Sequence, residues 1–178
     1  MTKKIIFTGV AGSVHDDLNI GDIVIGKHLY QHDMDASPLI EIFEIPLLRK
    51  KFFETHQQKR KLFVQATKLF LNEIDTYISK SQLLEYYIEQ PKLFVEDIAS
   101  GDLFISTEQQ IQTIKSDLPN VACVEMEGAA VAQVCFEYDI PFSIIRTISD
   151  KADDNAHIEF QKFAKDIASN YALGILEK

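Results

Sequence analysis

Between residues 93 and 148 the chain alternates short, mostly apolar runs with stretches of helical periodicity. Residues 93–100, 121–126 and 142–148 read as strands, and 108–116 and 128–137 as helices between them. A strand that is apolar along its length has no face to give to water, so it must be covered on both sides. Strands joined through helices run parallel. The pattern predicts an α/β fold, a mixed and mostly parallel sheet covered by helices on both faces. Upstream, KIIFT (residues 4–8) reads as a buried strand and GVAGS (9–13) as the loop after it. Residues 18–26 read as a second strand region with a glycine turn inside it. Residues 32–48 are irregular, punctuated by Pro38 and Pro46. Apolar residues from Leu62 to Ile78 recur at helical spacing, which predicts a helix over 61–80. The tail from His157 reads as another helix.

A length of 178 residues suits a single domain, residues 1–178, with a sizeable core. The 27 acidic and 18 basic side chains leave a net charge of −9, which argues against a nucleic-acid partner. The basic residues at 49–51 and 59–61 read as a solvated face. No apolar run reaches membrane-spanning length, and the first residues carry no signal-peptide pattern. Cys123 and Cys135 sit inside apolar runs without metal-ligand spacing, and read as small core residues. The cytoplasm is the expected compartment.

In a parallel sheet, ligands bind beyond the carboxyl ends of the strands. The polar residues to watch are therefore Thr8, residues 102–107, residues 125–127 and residues 146–150. VACVEMEGAAVAQVC places Glu125 and Glu127 in an otherwise apolar stretch, on one side of a strand if the strand continues through both. They are either exposed carboxylates favouring the positive end of the next helix or a pair turned into a pocket. A carboxylate can accept a hydrogen bond from each hydroxyl of a vicinal diol. Arg146 is the one charge in an apolar strand and suits a buried pair with a carboxylate such as Glu125. Asp150 is either a cap or a general acid, which needs a pKa raised by burial. Asp150, Asp153 and Asp154 match no calcium-loop spacing. GVAGS lacks the lysine and the GxGxxG spacing of phosphate loops, so it reads as a turn or a pocket wall. The five histidines read as surface or cap residues.

FTGVAGS, NIGDIVI, QHDMD, SGDLFIS, VEMEGAA and RTISDKAD occur in an order that resembles bacterial 5′-methylthioadenosine/S-adenosylhomocysteine nucleosidases, of the nucleoside phosphorylase family. The resemblance covers nearly the whole chain. It implies that Glu127 holds the ribose hydroxyls over Met126, and that Asp150, helped by Ser149, protonates purine N7. Phe104 would stack on the base and the Ile105 backbone would bond its edge. Glu125 and Arg146 would help position the attacking water, Phe160 would line the purine or 5′-substituent side, and Ala11 and Gly12 would wall the ribose. No cofactor or metal is implied. The partners implied are a small nucleoside substrate and a second copy in a homodimer, with residues 38–43 placed to close the neighbour's 5′ pocket.

Two departures stand out. Family members carry a strand and a glutamate-rich segment, the source of the general base, ahead of the FTG strand. This chain opens on the FTG strand, so the expectation is an N-terminally truncated form with incomplete catalysis. FTGVAGS also has Val10 where serine is common and Ser13 where glycine is common. Alternative readings are a nucleoside phosphorylase, an aminofutalosine-type nucleosidase, or a chain that binds adenine nucleosides without turning them over.

Overall fold

A computed structural model describes residues 3–153 and 156–178. The strands are β1 (Ile5–Ser13), β2 (Ile23–Gln31), β3 (Phe53–Glu54), β4 (Leu93–Ser100), β5 (Val121–Glu125) and β6 (Phe142–Asp150). The helices are α1 (Gln57–Asn72), α2 (Lys80–Glu85), α3 (Glu108–Asp117), α4 (Gly128–Glu137), α5 (Ala156–Asp166) and α6 (Ala168–Leu176).

The sheet order is β3-β2-β4-β5-β1-β6, and β2 also pairs with β6. The sheet therefore curls until β6 meets β2, leaving β3 outside the closed part. The long ladders, β1–β6 and β2–β4, are parallel, as is β4–β5, and the short ladders β1–β5, β2–β3 and β2–β6 are antiparallel. The first half of β2 lies on β6 and its second half on β3. The switch follows Gly26, whose carbonyl accepts the Thr55 hydroxyl at 2.6 Å.

Both sheet faces are covered, as the apolar strands require. Val24, Ile98, Ile144 and Ile148 pack with Ala129, Ala132 and Cys135 of α4. Their neighbours Ile23, Ile25 and Ile145 point the other way, into Phe70 of α1, Phe163 of α5 and Tyr171 of α6. Each fully buried isoleucine contributes roughly 1.5–3 kcal/mol by leaving water. Asp22 pins the entry to this layer. Its carboxylate accepts the Asn19 N–H at 2.8 Å and the Lys92 N–H at 2.6 Å, fixing the starts of β2 and β4 together.

The elements depart from the sequence reading in four places. GVAGS is not a loop, because β1 runs on through Ser13, held by a parallel ladder to β6. β2 begins after the Gly21 turn, not before it. The helix expected over 61–80 starts earlier, ends at Asn72, and is followed by a 3-10 turn at Ile74–Thr76 and by α2. The tail is two helices. The basic residues near 60 are not all solvated either, since Arg60 donates to the Thr55 carbonyl at 2.6 Å and to its hydroxyl at 3.0 Å.

Tyr171 lies between the rings of Phe70 and Phe163, with centroids 5.1 and 6.1 Å away. Its hydroxyl is buried with no hydrogen-bond partner among the described residues. An unpaired buried hydroxyl carries its full desolvation cost. Tyr171→Phe is expected to raise unfolding stability by about 1 kcal/mol. Urea denaturation of the two proteins checks this, and a loss of stability would show that the hydroxyl has a partner.

Candidate active site

The parallel register carries β1 alongside β6 until Gly9 meets Arg146 and, past an irregularity after Ala11, Gly12 meets Asp150. β5 crosses the end of β1 antiparallel, with Gly12 opposite Val124, which brings Glu125 against Arg146. A pocket of about 330 Å³ opens there.

Glu125 is the hub. It is 8% exposed and Arg146 is 1% exposed. Arg146 donates to Glu125 Oε2 through Nε at 3.0 Å and Nη2 at 2.5 Å. Ser100 at the end of β4 donates its hydroxyl to Oε1. The Gly128 N–H, in the first turn of α4, donates to both oxygens at 2.9 and 2.8 Å. The Ala129 N–H in turn donates to the Ser100 hydroxyl at 2.7 Å. Two otherwise orphaned amides of the α4 N-terminus are satisfied in this way, and the helix dipole adds to the stabilisation of the carboxylate. A Cβ on residue 128 would stand 2.9 Å from Glu125 Oε1, so only glycine lets the helix sit this close. The Arg146 guanidinium lies 4.3 Å over the Phe7 ring.

Asp150 is 2% exposed. Its Oδ2 accepts the Ser149 hydroxyl at 2.8 Å and its Oδ1 the Ala152 N–H at 2.9 Å. Burial pushes its pKa above the ordinary aspartate value, the two hydrogen bonds pull it back in part, and the nearby Asp153 charge pushes it up further. A Cβ on Gly12 would stand 2.7 Å from Oδ1. Glu127 differs in every respect. It is exposed, lies two residues past the end of β5, and serves as the α4 N-cap residue without a side-chain cap bond.

The loop after β4 forms the opposite wall. Asp33 accepts the Asp102 N–H at 2.7 Å, Gly101 N–H donates to the Glu125 carbonyl at 3.2 Å, and Gln110 accepts the Ser106 N–H at 3.1 Å. These bonds set Leu103, Phe104 and Ile105 along the pocket. The rings of Phe104 and Phe160 meet edge to face, 6.1 Å between centroids.

All eleven residues singled out from the sequence line this pocket: Ala11, Gly12, Phe104, Ile105, Glu125, Met126, Glu127, Arg146, Ser149, Asp150 and Phe160. The two glutamates do not share one side of a strand, because β5 ends at Glu125. Both oxygens of Glu125 are taken up by protein donors. Asp154 lies outside the described residues. The sequence reading missed Ser100, Phe7 and Asp33. Ser100 opens the SGDLFIS motif and was legible as a strand-end hydroxyl, whereas Phe7 reads only as core. His32 is no surface residue either. Its Nε2 is buried without a partner among the described residues, against the backbone of Gly101.

The chain belongs to the phosphorylase superfamily, whose family model matches residues 2–178. It is 33% identical over 165 residues to the 5′-methylthioadenosine/S-adenosylhomocysteine nucleosidase of Staphylococcus aureus (strain bovine RF122 / ET3-1), across 92% of this chain and 64% of that protein. The enzyme of the same name from Bacillus cereus (strain G9842) is 32% identical over 180 residues, across 99% of this chain and 70% of that one. Among solved structures, the Neisseria meningitidis nucleosidase in complex with methylthio-immucillin-A superposes with a TM-score of 0.79 at 29% identity, over 98% of this chain and 69% of that one. Futalosine hydrolase of Helicobacter pylori strain 26695 gives 0.77 at 30% identity, over 98% of this chain and 68% of that one. The chain spans 64% of the length of the Staphylococcus relative. The family resemblance carried by VEMEGAA, RTISDKAD and SGDLFIS is thus borne out.

Removing one partner of a buried ion pair strands the other charge. Arg146→Met is expected to destabilise the fold by about 3–5 kcal/mol. The double variant Glu125→Gln, Arg146→Met should recover part of that loss. Chemical denaturation of the double-mutant cycle reads the coupling, and additive losses would mean that the pair is not coupled.

Proposed function

We propose that this pocket hydrolyses the N-glycosidic bond of 5′-methylthioadenosine and S-adenosylhomocysteine, releasing adenine. The observation that carries the reading is Asp150, a buried carboxyl with a raised pKa in the lining of the pocket, beside Ser149. A raised pKa favours the neutral acid, the form that can give a proton away. The relatives named as nucleosidases supply the reaction class.

In this reading the purine lies against Phe104, with Ile105 at its edge, and Asp150 protonates N7. Glu127 accepts from the ribose hydroxyls above Met126. The C1′–N9 bond breaks with its electron pair going to the protonated base. Positive charge develops on the sugar, where Glu127 lies nearby. Water adds its oxygen to C1′ and releases one proton to solvent, from which the Asp150 carboxylate takes one back, so that the net reaction consumes one water. Glu125 and Arg146 form the fixed floor on which that water is positioned. The sugar product would feed methionine salvage. Cys123 and Cys135 are buried free thiols, in keeping with a reducing cytoplasm. The likeness to futalosine hydrolase favours a second reading, in which the 5′ side accepts a futalosine-type substituent.

The test is adenine release from methylthioadenosine by the purified chain without phosphate, alongside Asp150→Asn. Turnover by the chain and a loss of about 100-fold or more in the variant, with nucleoside binding kept, supports the reading. Binding without turnover in both selects the binding-only alternative, and a futalosine panel separates the second substrate. Activity should fall as pH rises through the raised pKa of Asp150. Stability follows the same sign. A carboxyl whose folded pKa is raised binds its proton more tightly folded than unfolded, so stability falls as pH rises above the unfolded value. Asp150→Asn is therefore expected to be more stable than the parent at pH 7, with the gap closing in acid. A melting series across pH measures it.

The homodimer belongs to the same proposal. Leu39, Ile42 and Leu47 are exposed in the segment between β2 and β3, Leu39 at 89% and Leu47 at 101%. Exposed apolar groups of this size favour association. Leu39→Glu with Leu47→Glu should turn a dimer into a monomer by light scattering. An unchanged mass would remove this segment from the interface.

A further inference from the structure

Arg146 reaches Glu125 by crossing a strand. Its register partner on β1 is Gly9, and β1 lies between β6, which carries Arg146, and β5, which ends at Glu125. A Cβ on Gly9 would stand 3.0 Å from Arg146 Nη1 and 3.3 Å from Cζ, so the guanidinium lies over the bare Cα of that residue. Phe7 is two residues earlier, on the same face of β1. Its ring centroid lies 4.3 Å from the guanidinium carbon, and its carbonyl accepts from Nη1 at 3.4 Å. Phe7, Gly9 and Arg146 all line the pocket.

A guanidinium carries five N–H donors in one plane. Nε and Nη2 each spend one on Glu125, both on the same oxygen, Oε2. Nη1 spends its two on the carbonyls of Phe7 and, at 3.3 Å, Ile145. The fifth, on Nη2, has no acceptor among the described residues. A fork that grips both oxygens of a carboxylate fixes its own plane. Two bonds to a single oxygen do not, because the plane can hinge about that oxygen. Glu125 Oε1 does not supply the second hold, since Ser100 and the Gly128 N–H occupy it. The bonds from Nη1 are long and hold weakly. The face of the Phe7 ring is the remaining constraint on the plane, and the plane decides where the fifth N–H points.

We propose that Phe7 is a positioning residue for Arg146: its ring fixes the plane of the guanidinium and so aims the one unspent N–H at the oxygen nucleophile. The aim at a nucleophile rests on the proposed hydrolysis, but the clamp can be tested without turnover. Arg49, Arg60 and Arg146 are the chain's three arginines. In the chain labelled with nitrogen-15 arginine, Arg49→Lys and Arg60→Lys assign the Arg146 Nε–H by elimination. Its exchange with water should be about tenfold faster or more in Phe7→Leu, which keeps apolar bulk and removes the ring. Phe7→Tyr keeps the ring and should bring exchange back near that of the parent. With methylthioadenosine, Phe7→Leu should lose about tenfold or more in kcat while KM holds within about twofold, the mark of an interaction made in the transition state. Phe7→Tyr should recover most of that loss.

Unmoved Nε–H exchange in folded Phe7→Leu overturns the proposal, even if its melting temperature drops. Equal acceleration in Phe7→Leu and Phe7→Tyr assigns the effect to packing and overturns it too. A rise in KM with kcat kept would make Phe7 a pocket wall and overturn its role in aiming. If Phe7→Leu does not fold, the parent decides: a nuclear Overhauser contact between the Phe7 ring and the Arg146 Nε–H supports the clamp, and its absence overturns it. Absence of nucleoside cleavage by the parent counts against the proposed reaction, and the exchange rates alone then decide for Phe7.

Discussion

The ion pair between Glu125 and Arg146 is the constraint on which the rest of the site depends. Taking both charges out of water costs several kcal/mol per ion, and attraction alone does not reliably offset it. Here the balance is met by added hydrogen bonds. Ser100 and the Gly128 amide fill the remaining capacity of Glu125, and the Phe7 ring covers the guanidinium. One pair thereby joins β1, β4, β5, β6 and the start of α4. Four strands and a helix are held in a fixed relation, and the pocket is the space left between them.

Because the pair is satisfied internally, the proposed reaction assigns the chemistry to the two other carboxylates. Asp150 and Glu127 are both carboxylates, yet the fold gives them different surroundings. Asp150 is enclosed at the end of β6, where burial outweighs two hydrogen bonds and favours the neutral acid. Glu127 is exposed at the head of α4, with its acceptor capacity unspent. One environment suits a proton donor and the other a hydroxyl acceptor. The same division of labour between carboxylates by surroundings recurs in acid–base sites generally.

Much of this was legible in the sequence because it rests on local pattern. Doubly covered strands leave long apolar runs, and the small residues of GAAVA mark a helix packed closely on a sheet. What was not legible depends on register. Nothing in GVAGS says that it continues a strand; the ladder to β6 decides that, and it makes a wall where a loop was expected. Alternation along a strand puts Glu125 and Glu127 together, but β5 stops at Glu125, and the turn into α4 separates one committed carboxylate from one free. Ser100 and Asp33 were missed for a related reason. Each acts by capping a backbone amide of a segment remote in sequence, and such partners leave no periodic trace.

The field inside the pocket bears on which nucleophile fits the proposal. Among the described lining residues Arg146 is the only cation, and Glu125 already occupies it. Glu127 remains as a free negative charge. Two unit charges 4 Å apart interact by about 1 kcal/mol in bulk water and about 4 kcal/mol at the effective dielectric of a protein surface. A phosphate dianion would meet that repulsion with no free guanidinium or ammonium among the described lining residues to offset it. A neutral water meets none of it. A ribose gaining positive charge as its bond to the base breaks is drawn by the same carboxylate that would repel phosphate. The charge arrangement that makes the pocket a poor phosphorylase site is therefore the one that suits hydrolysis through a cationic sugar.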